Sequence, residues 1–225
     1  MSIVNRIMRN NNQGFTMIEL LIVAVILGLM ATAVVIGARQ FMEGSKNRRA
    51  QTDVIAIKNA IFGFYTDGSE YPNRKNKMQS INDWDNRYKL LYSAPEGADS
   101  SNPTVFYPKL SKDAGKSFRV GLQDMDDLSN HLVKATGRGY LPKKFNWPYV
   151  QKLDLDPWGR AYVINIYNLN DALDDKPPEA DQPYVLHHTW VLSSGKNGII
   201  ETADTSKSNE NPPALGGDDV GELLE

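Results

Sequence analysis

The chain has 225 residues, with 25 Lys plus Arg against 27 Asp plus Glu, a formal charge of −2 and no cysteine. That balance excludes a basic nucleic-acid footprint spread over the whole surface, and the negative mean hydropathy excludes a polytopic membrane protein. Without cysteine there are no disulfides, thiolate metal sites, CxxC redox motifs or cysteine nucleophile.

The averages conceal where the apolar residues sit. Residues 1–14 are polar and carry Arg6 and Arg9 with no acid, whereas residues 15–38 (FTMIELLIVAVILGLMATAVVIGA) hold a single ionisable group, Glu19. About 20 apolar residues at 1.5 Å each span a bilayer core, so 15–38 is read as a transmembrane helix. A removed secretory signal fits less well: the run is too long, no A-x-A-like site follows it, and helix-compatible sequence continues beyond. Arg39, Lys46, Arg48 and Arg49 follow the span, so a positive-inside count alone favours the opposite topology. Because long domains translocate largely regardless of charge, the N-terminus is placed in the cytoplasm. Glu19 is the anomaly, since a carboxylate within an apolar span is costly and marks a functional site by default.

Gly14-Phe15-Thr16-Met17-Ile18-Glu19-Leu20-Leu21-Ile22-Val23 resembles the class III signal of type IV pilins and type II secretion pseudopilins. The resemblance implies cleavage by prepilin peptidase between Gly14 and Phe15, with methylation of the new Phe15 amine. It further implies that Glu19 pairs with the Phe15 amine of a neighbouring subunit during filament assembly. Where many members place a mid-helix proline, this chain has Ile36.

Residues 39–67 are expected to continue the helix in amphipathic form, with Val54, Ile57, Ile61 and Phe64 at three- and four-residue steps. Gly68, followed by Tyr71-Pro72, is the expected stop. The cluster Lys46-Asn47-Arg48-Arg49 is read as a solvated face. Residues 68–225 are read as an α+β head, with 74–138 as an insertion. Within it, 104–107 and 118–122 are candidate strands, and 124–135 has helical spacing. The sequence DPWGR (156–160) is a turn, and AYVINIY (161–167) and YVLHHTWVL (184–192) are strands expected to form an antiparallel hairpin. Adjacent His187 and His188 point to opposite faces of a strand and are read as structural, and Trp158 and Trp190 as core. The polar tail from residue 201 needs something to tie it down.

DPWGRAY with its strand and the following VLSSGKNG, together with FGFYTDGSEYP at the helix end, is similar to the major pseudopilin of type II secretion systems. That resemblance implies Ca²⁺ held in the C-terminal loop by the Ser194 carbonyl, Asn197, Asp218 and Asp219. Oxygen-only donors suit this cation. Asn197 replaces an acid, the stretch to Asp218 is longer than in the family, and Glu201 or Asp204 could compensate. The alternative is a polar turn with a solvated acidic tail. No GxSxG, HExxH or P-loop is present, and no enzyme is expected.

The expected fold is therefore α+β and type IV pilin-like: a long N-terminal helix packed on a small antiparallel-sheet head. The expected function is structural: a type II secretion pseudopilus subunit, anchored in the inner membrane with its head in the periplasm, that polymerises to drive protein export. Implied partners are further copies of the chain, minor pseudopilins, the inner-membrane assembly platform and prepilin peptidase, with no nucleic acid. A type IV pilus subunit is the alternative, followed by a signal-anchored periplasmic binding protein or enzyme.

Overall fold

The computed structural model describes residues 14–75, 87–95, 106–112, 114, 118, 124–134, 139–140, 144–166, 185–203, 205–207 and 214–224. Residues 1–13, 104–105, 119–122 and Asp204, all part of expectations above, lie outside these. The chain divides into two units, Met1–Gly44 and Ser45–Glu225.

Helix α1 covers Met17–Gly68. It runs through Ile36 without interruption, as expected where no proline removes an amide or clashes with the preceding turn. In the first unit its side chains are exposed almost throughout, from Met17 to Met42. This stretch is long and apolar enough to cross a membrane. In the second unit one stripe is buried: Ala50, Val54, Ile57, Ile61, Phe64 and Gly68, spaced four, three, four, three and four. That period keeps them on one face.

The helix stops at Gly68, where its end was expected, though not through that glycine's own backbone freedom. Ser69, not Gly68, adopts the left-handed conformation (φ 52°), and its N–H donates to the Tyr65 carbonyl at 2.6 Å. Gly68 is needed for packing instead, because a Cβ there would lie 2.1 Å from Phe145 Cε1.

The stripe packs on a five-stranded sheet of order β3-β1-β4-β6-β9. Its strands are β1 (Leu90–Tyr92), β3 (Met125–Asp127), β4 (Val163–Ile164), β6 (Trp190–Ser193) and β9 (Val220–Leu223). The β1–β4, β4–β6 and β6–β9 pairs are antiparallel, while β1–β3 is parallel. Pleat alternation sorts the side chains. Leu91, Ile164 and Val191 join the α1 stripe in one cluster. Leu90, Val163 and Leu192 turn to the other face, where Phe118 and Ile200 cover them. Both faces are thus buried, which explains the uninterrupted apolar strands. Residues 74–138, read as an insertion, contribute β1, β3 and the buried Phe118, Leu128 and Leu132.

Two short pairs flank the sheet: β2 (Lys109–Leu110) with β7 (Ile199–Ile200), and β5 (Val185–His187) with β8 (Thr205–Lys207). The expected hairpin forms between β4 and β6 in the register Val163↔Leu192. However, the expected strand 184–192 divides at His188–Thr189, and its first half joins β8. At the break the Asn165 side chain replaces the ladder: its Nδ2 donates to His188 O at 2.9 Å and its Oδ1 accepts from Trp190 N at 2.6 Å. The helical spacing at 124–135 resolves into β3 and a single turn, α2 (Ser129–Leu132). Pairing with β1 holds β3 extended, and Asp127 Oδ1, accepting from Ser129 N–H, starts the turn.

Candidate functional site

Gly14, Phe15 and Thr16 lie just ahead of α1, outside its helical residues. Phe15 is three-quarters exposed, and nothing approaches within 4 Å of a Cβ built on Gly14. Thr16 and Glu19 form a reciprocal cap. The Thr16 N–H and hydroxyl both donate to Glu19 Oε2 at 3.1 Å, and the Glu19 N–H donates to Thr16 Oγ1 at 3.2 Å. Two orphan amides of the first turn are thereby satisfied, and the carboxylate sits at the positive end of the helix dipole. The pattern T-x-x-E ahead of an apolar run signals this box, so Thr16 was readable from sequence as Glu19's local partner.

The second constellation lies where β6 ends and β9 begins. Fold topology brings Asn197 close to Asp218, 21 residues away: Asn197 N–H donates to Asp218 Oδ2 at 2.9 Å. Asp219 Oδ2 accepts from Glu201 N (2.8 Å), Thr202 N (2.8 Å) and Thr202 Oγ1 (2.6 Å). Burial pushes the Asp219 carboxyl above the ordinary carboxylate range, opposed by these donors. Its second oxygen, Oδ1, is buried with no hydrogen-bond partner. The Ser194 carbonyl accepts from Gly198 N at 3.2 Å, which closes the turn. Thus Ser194, Asn197, Asp218 and Asp219 all belong to one loop cluster. Among the described residues no three acidic or histidine side chains enclose a common centre. The further oxygens here are those of Asn197, of Glu201, whose Oε2 accepts from Asn197 Nδ2 at 3.1 Å, and of the backbone. The donors are oxygens, the type that a hard cation takes, but Asn197 Oδ1 is already engaged by the Ile199 N–H at 2.7 Å.

The DPWGR turn supports this loop from behind. Buried Asp156 accepts from Trp158 N (3.0 Å), Arg160 N (2.8 Å) and the Ser193 hydroxyl (2.6 Å). Arg160 Nη1 in turn donates to Gly195 O at 3.3 Å. Gly195 (φ 60°) cannot carry a side chain, since its Cβ would lie 2.0 Å from Asp218 O. The sequence marks DPWGR as a turn, but its hydrogen bond to Ser193 arises only from strand pairing.

Residues 9–35 match the prokaryotic N-terminal methylation motif. The chain is 32% identical over 136 residues to the type IV major pilin protein PilA of Myxococcus xanthus, covering 57% of this chain and 60% of that one. It is 34% identical over 68 residues to the type II secretion system core protein G of Vibrio cholerae, covering 30% of this chain and 47% of the relative. For core protein G of Escherichia coli the figures are 29% over 72 residues, covering 32% and 50%. The chain thus spans between about half and three-fifths of these relatives. No solved structure matches. By its methylation motif, its long apolar helix and these relatives, the chain is similar to type IV pilins and to the core protein G of type II secretion.

Proposed function

We propose that the chain is a structural subunit of a type II secretion pseudopilus, processed at Gly14–Phe15 and polymerised through α1. The observation that carries this reading is the apolar, outward-facing start of α1 with one carboxylate, Glu19, in its first turn. Surface of that kind demands lipid or other helices around it. Glu19 would find in the Phe15 ammonium of a neighbouring copy the charge that offsets its burial. The head then faces the periplasm, and the assembly platform and minor pseudopilins act as partners in growth. The work of such a protein is assembly, not turnover. Mass spectrometry of the mature chain tests the reading: a methylated Phe15 N-terminus is expected, and an N-terminus at Met1 refutes it.

A type IV pilus subunit is the second reading, favoured by the 136-residue match to a type IV pilin, which extends well past the helix. Long retractile surface fibres built from this chain would select it. In either reading the loop of Ser194, Asn197, Asp218 and Asp219 would hold Ca²⁺. Its role would be structural, tying the C-terminal strand β9 to the end of β6 in a head that has no cysteine for a disulfide.

A further inference from the structure

We infer that the C-terminal strand is tied to the head by the chain's own hydrogen bonds, without need of a divalent cation. Thr202 and Asp219 form a buried knot, and the Asn197 amide closes the loop from outside. This goes beyond the calcium reading, which assigns the tie to an ion: the chain's own bonds hold whether or not an ion joins them.

Thr202 is fully buried and Asp219 only 7% exposed. The Thr202 hydroxyl donates to Asp219 Oδ2 at 2.6 Å and accepts from Gly216 N at 3.0 Å, so both of its hydrogen-bonding roles are used. The Glu201 and Thr202 amides donate to the same carboxylate oxygen, and Asp219 N–H donates to Gly216 O at 3.0 Å. These bonds join the segment after β7 to the start of β9. Hydrogen bonds to an ionised acceptor are the strong ones, and burial removes water as a rival partner.

Asn197 works on the outer side. A side-chain amide donates and accepts at once, whereas a carboxylate only accepts. Asn197 Oδ1 accepts from Ile199 N at 2.7 Å, while Nδ2 donates to Glu201 Oε2 at 3.1 Å. An acid at 197 would set two carboxylates face to face, a repulsion that a cation relieves. The amide removes that demand. Calcium takes about six to eight oxygens, but among the described residues no three carboxylates share a centre. Asp219 Oδ1 alone lacks a hydrogen-bond partner, and one oxygen is not a coordination shell. The chain itself fills the loop: a Cβ on Gly216 would lie 2.4 Å from the Glu201 carbonyl oxygen, and one on Gly217 1.6 Å from Glu201 Oε2. Behind it, the Arg160 guanidinium lies where a Cβ on Gly198 would be, 2.1 Å from Cζ, and its positive charge opposes a second cation.

The test is hydrogen exchange of the β9 amides in the full chain in detergent, read by mass spectrometry with the β4 amides as internal reference. Wild type is expected to exchange at rates within about threefold of each other in CaCl₂ and in EDTA, since local opening would not involve the ion. Exchange in EDTA faster by more than that overturns the inference and gives the tie to the ion. Thr202→Val is expected to speed β9 exchange about tenfold or more in both solutions, because the Gly216 N–H loses its acceptor and Asp219 a donor. Unchanged exchange in a folded Thr202→Val overturns the knot; the wild-type comparison decides without any variant. Calorimetric titration of CaCl₂ into wild type separates the two readings. Binding with no gain in β9 protection supports the inference and keeps the calcium reading, whereas absence of binding supports the inference and removes that reading.

Discussion

The two roles available to Glu19 differ enough in energy to be separated. In the structure it caps its own helix, holding the Thr16 N–H and hydroxyl on Oε2. Loss of such a cap costs about 0.5–2 kcal/mol. A docking role requires its charge, because removing one partner of a buried ion pair costs roughly 3–5 kcal/mol. At 1.4 kcal/mol per tenfold, that is a loss of about two to three and a half powers of ten in subunit association. Glu19→Gln keeps a side-chain oxygen for the cap, as Gln serves in capping boxes, but removes the charge. Thr16→Val removes the cap and keeps the charge. Docking therefore predicts that Glu19→Gln inserts, is cleaved and is methylated, yet yields no sheared filaments. Thr16→Val is expected to assemble at only modestly reduced yield. Cleavage is read by mass spectrometry of the N-terminus and assembly by the filament fraction released on shearing. Normal filaments from Glu19→Gln would refute the ion-pair reasoning and leave Glu19 as a cap.

Phe64 is fully buried, stacked on Phe145 with ring centroids 4.4 Å apart and edge-on to Tyr140 at 5.0 Å. Phe64→Ala should cost about 3–5 kcal/mol, lowering Tm by about 6–20 °C at roughly 2–4 °C per kcal/mol; a fall under 2 °C would mean that the α1 stripe is not the head's core. Asp156→Ala strands three donors, of which the Ser193 hydroxyl is buried, and should cost at least about 2 kcal/mol in denaturant unfolding. Asp156→Asn, which keeps acceptor oxygen, should cost less, and equal losses would contradict the hydrogen-bond assignment. The Tyr149 hydroxyl on Asp67, with the Asn146 donors, holds the Asp67 carboxyl below its ordinary value. The stabilisation is present above the unfolded value near 3.9 and is lost as pH falls through the lower folded value. The Tm difference between wild type and Asp67→Asn should therefore shrink below about pH 4, and a gap constant from pH 7 to pH 3 would refute this.

Much of the N-terminal half is legible without a structure, because its signals are local. An apolar run, a lone acid, and apolar residues three and four apart already specify α1 and its buried stripe, as hydrogen bonds four residues apart follow chain order. The T-x-x-E box was equally readable, yet the charge at Glu19 draws attention from its local partner. Sheet positions are a different matter. The strand 184–192 looked continuous, and only Asn165, about twenty residues earlier, divides it between two sheets. The segment 124–135 kept a helical pattern that pairing with β1 overrides at Met125–Asp127.

The C-terminal loop shows the same boundary. Sequence could nominate Asn197, Asp218 and Asp219 by type and offer Glu201 and Asp204 as alternatives, but spacing alone could not choose between them. Register brings the nominated residues together: β6 pairs with β9, so Asp218 and Asp219 arrive beside the turn at 195–198, and Gly217 lies against the Glu201 carboxylate. The sequence by itself thus determined the helix, the anchor-like span and the single charged residue at its start, all set by contacts within a turn or two. Tertiary structure alone decided which distant oxygens share one loop, because strand pairing joins residues whose separation along the chain carries no periodic signal.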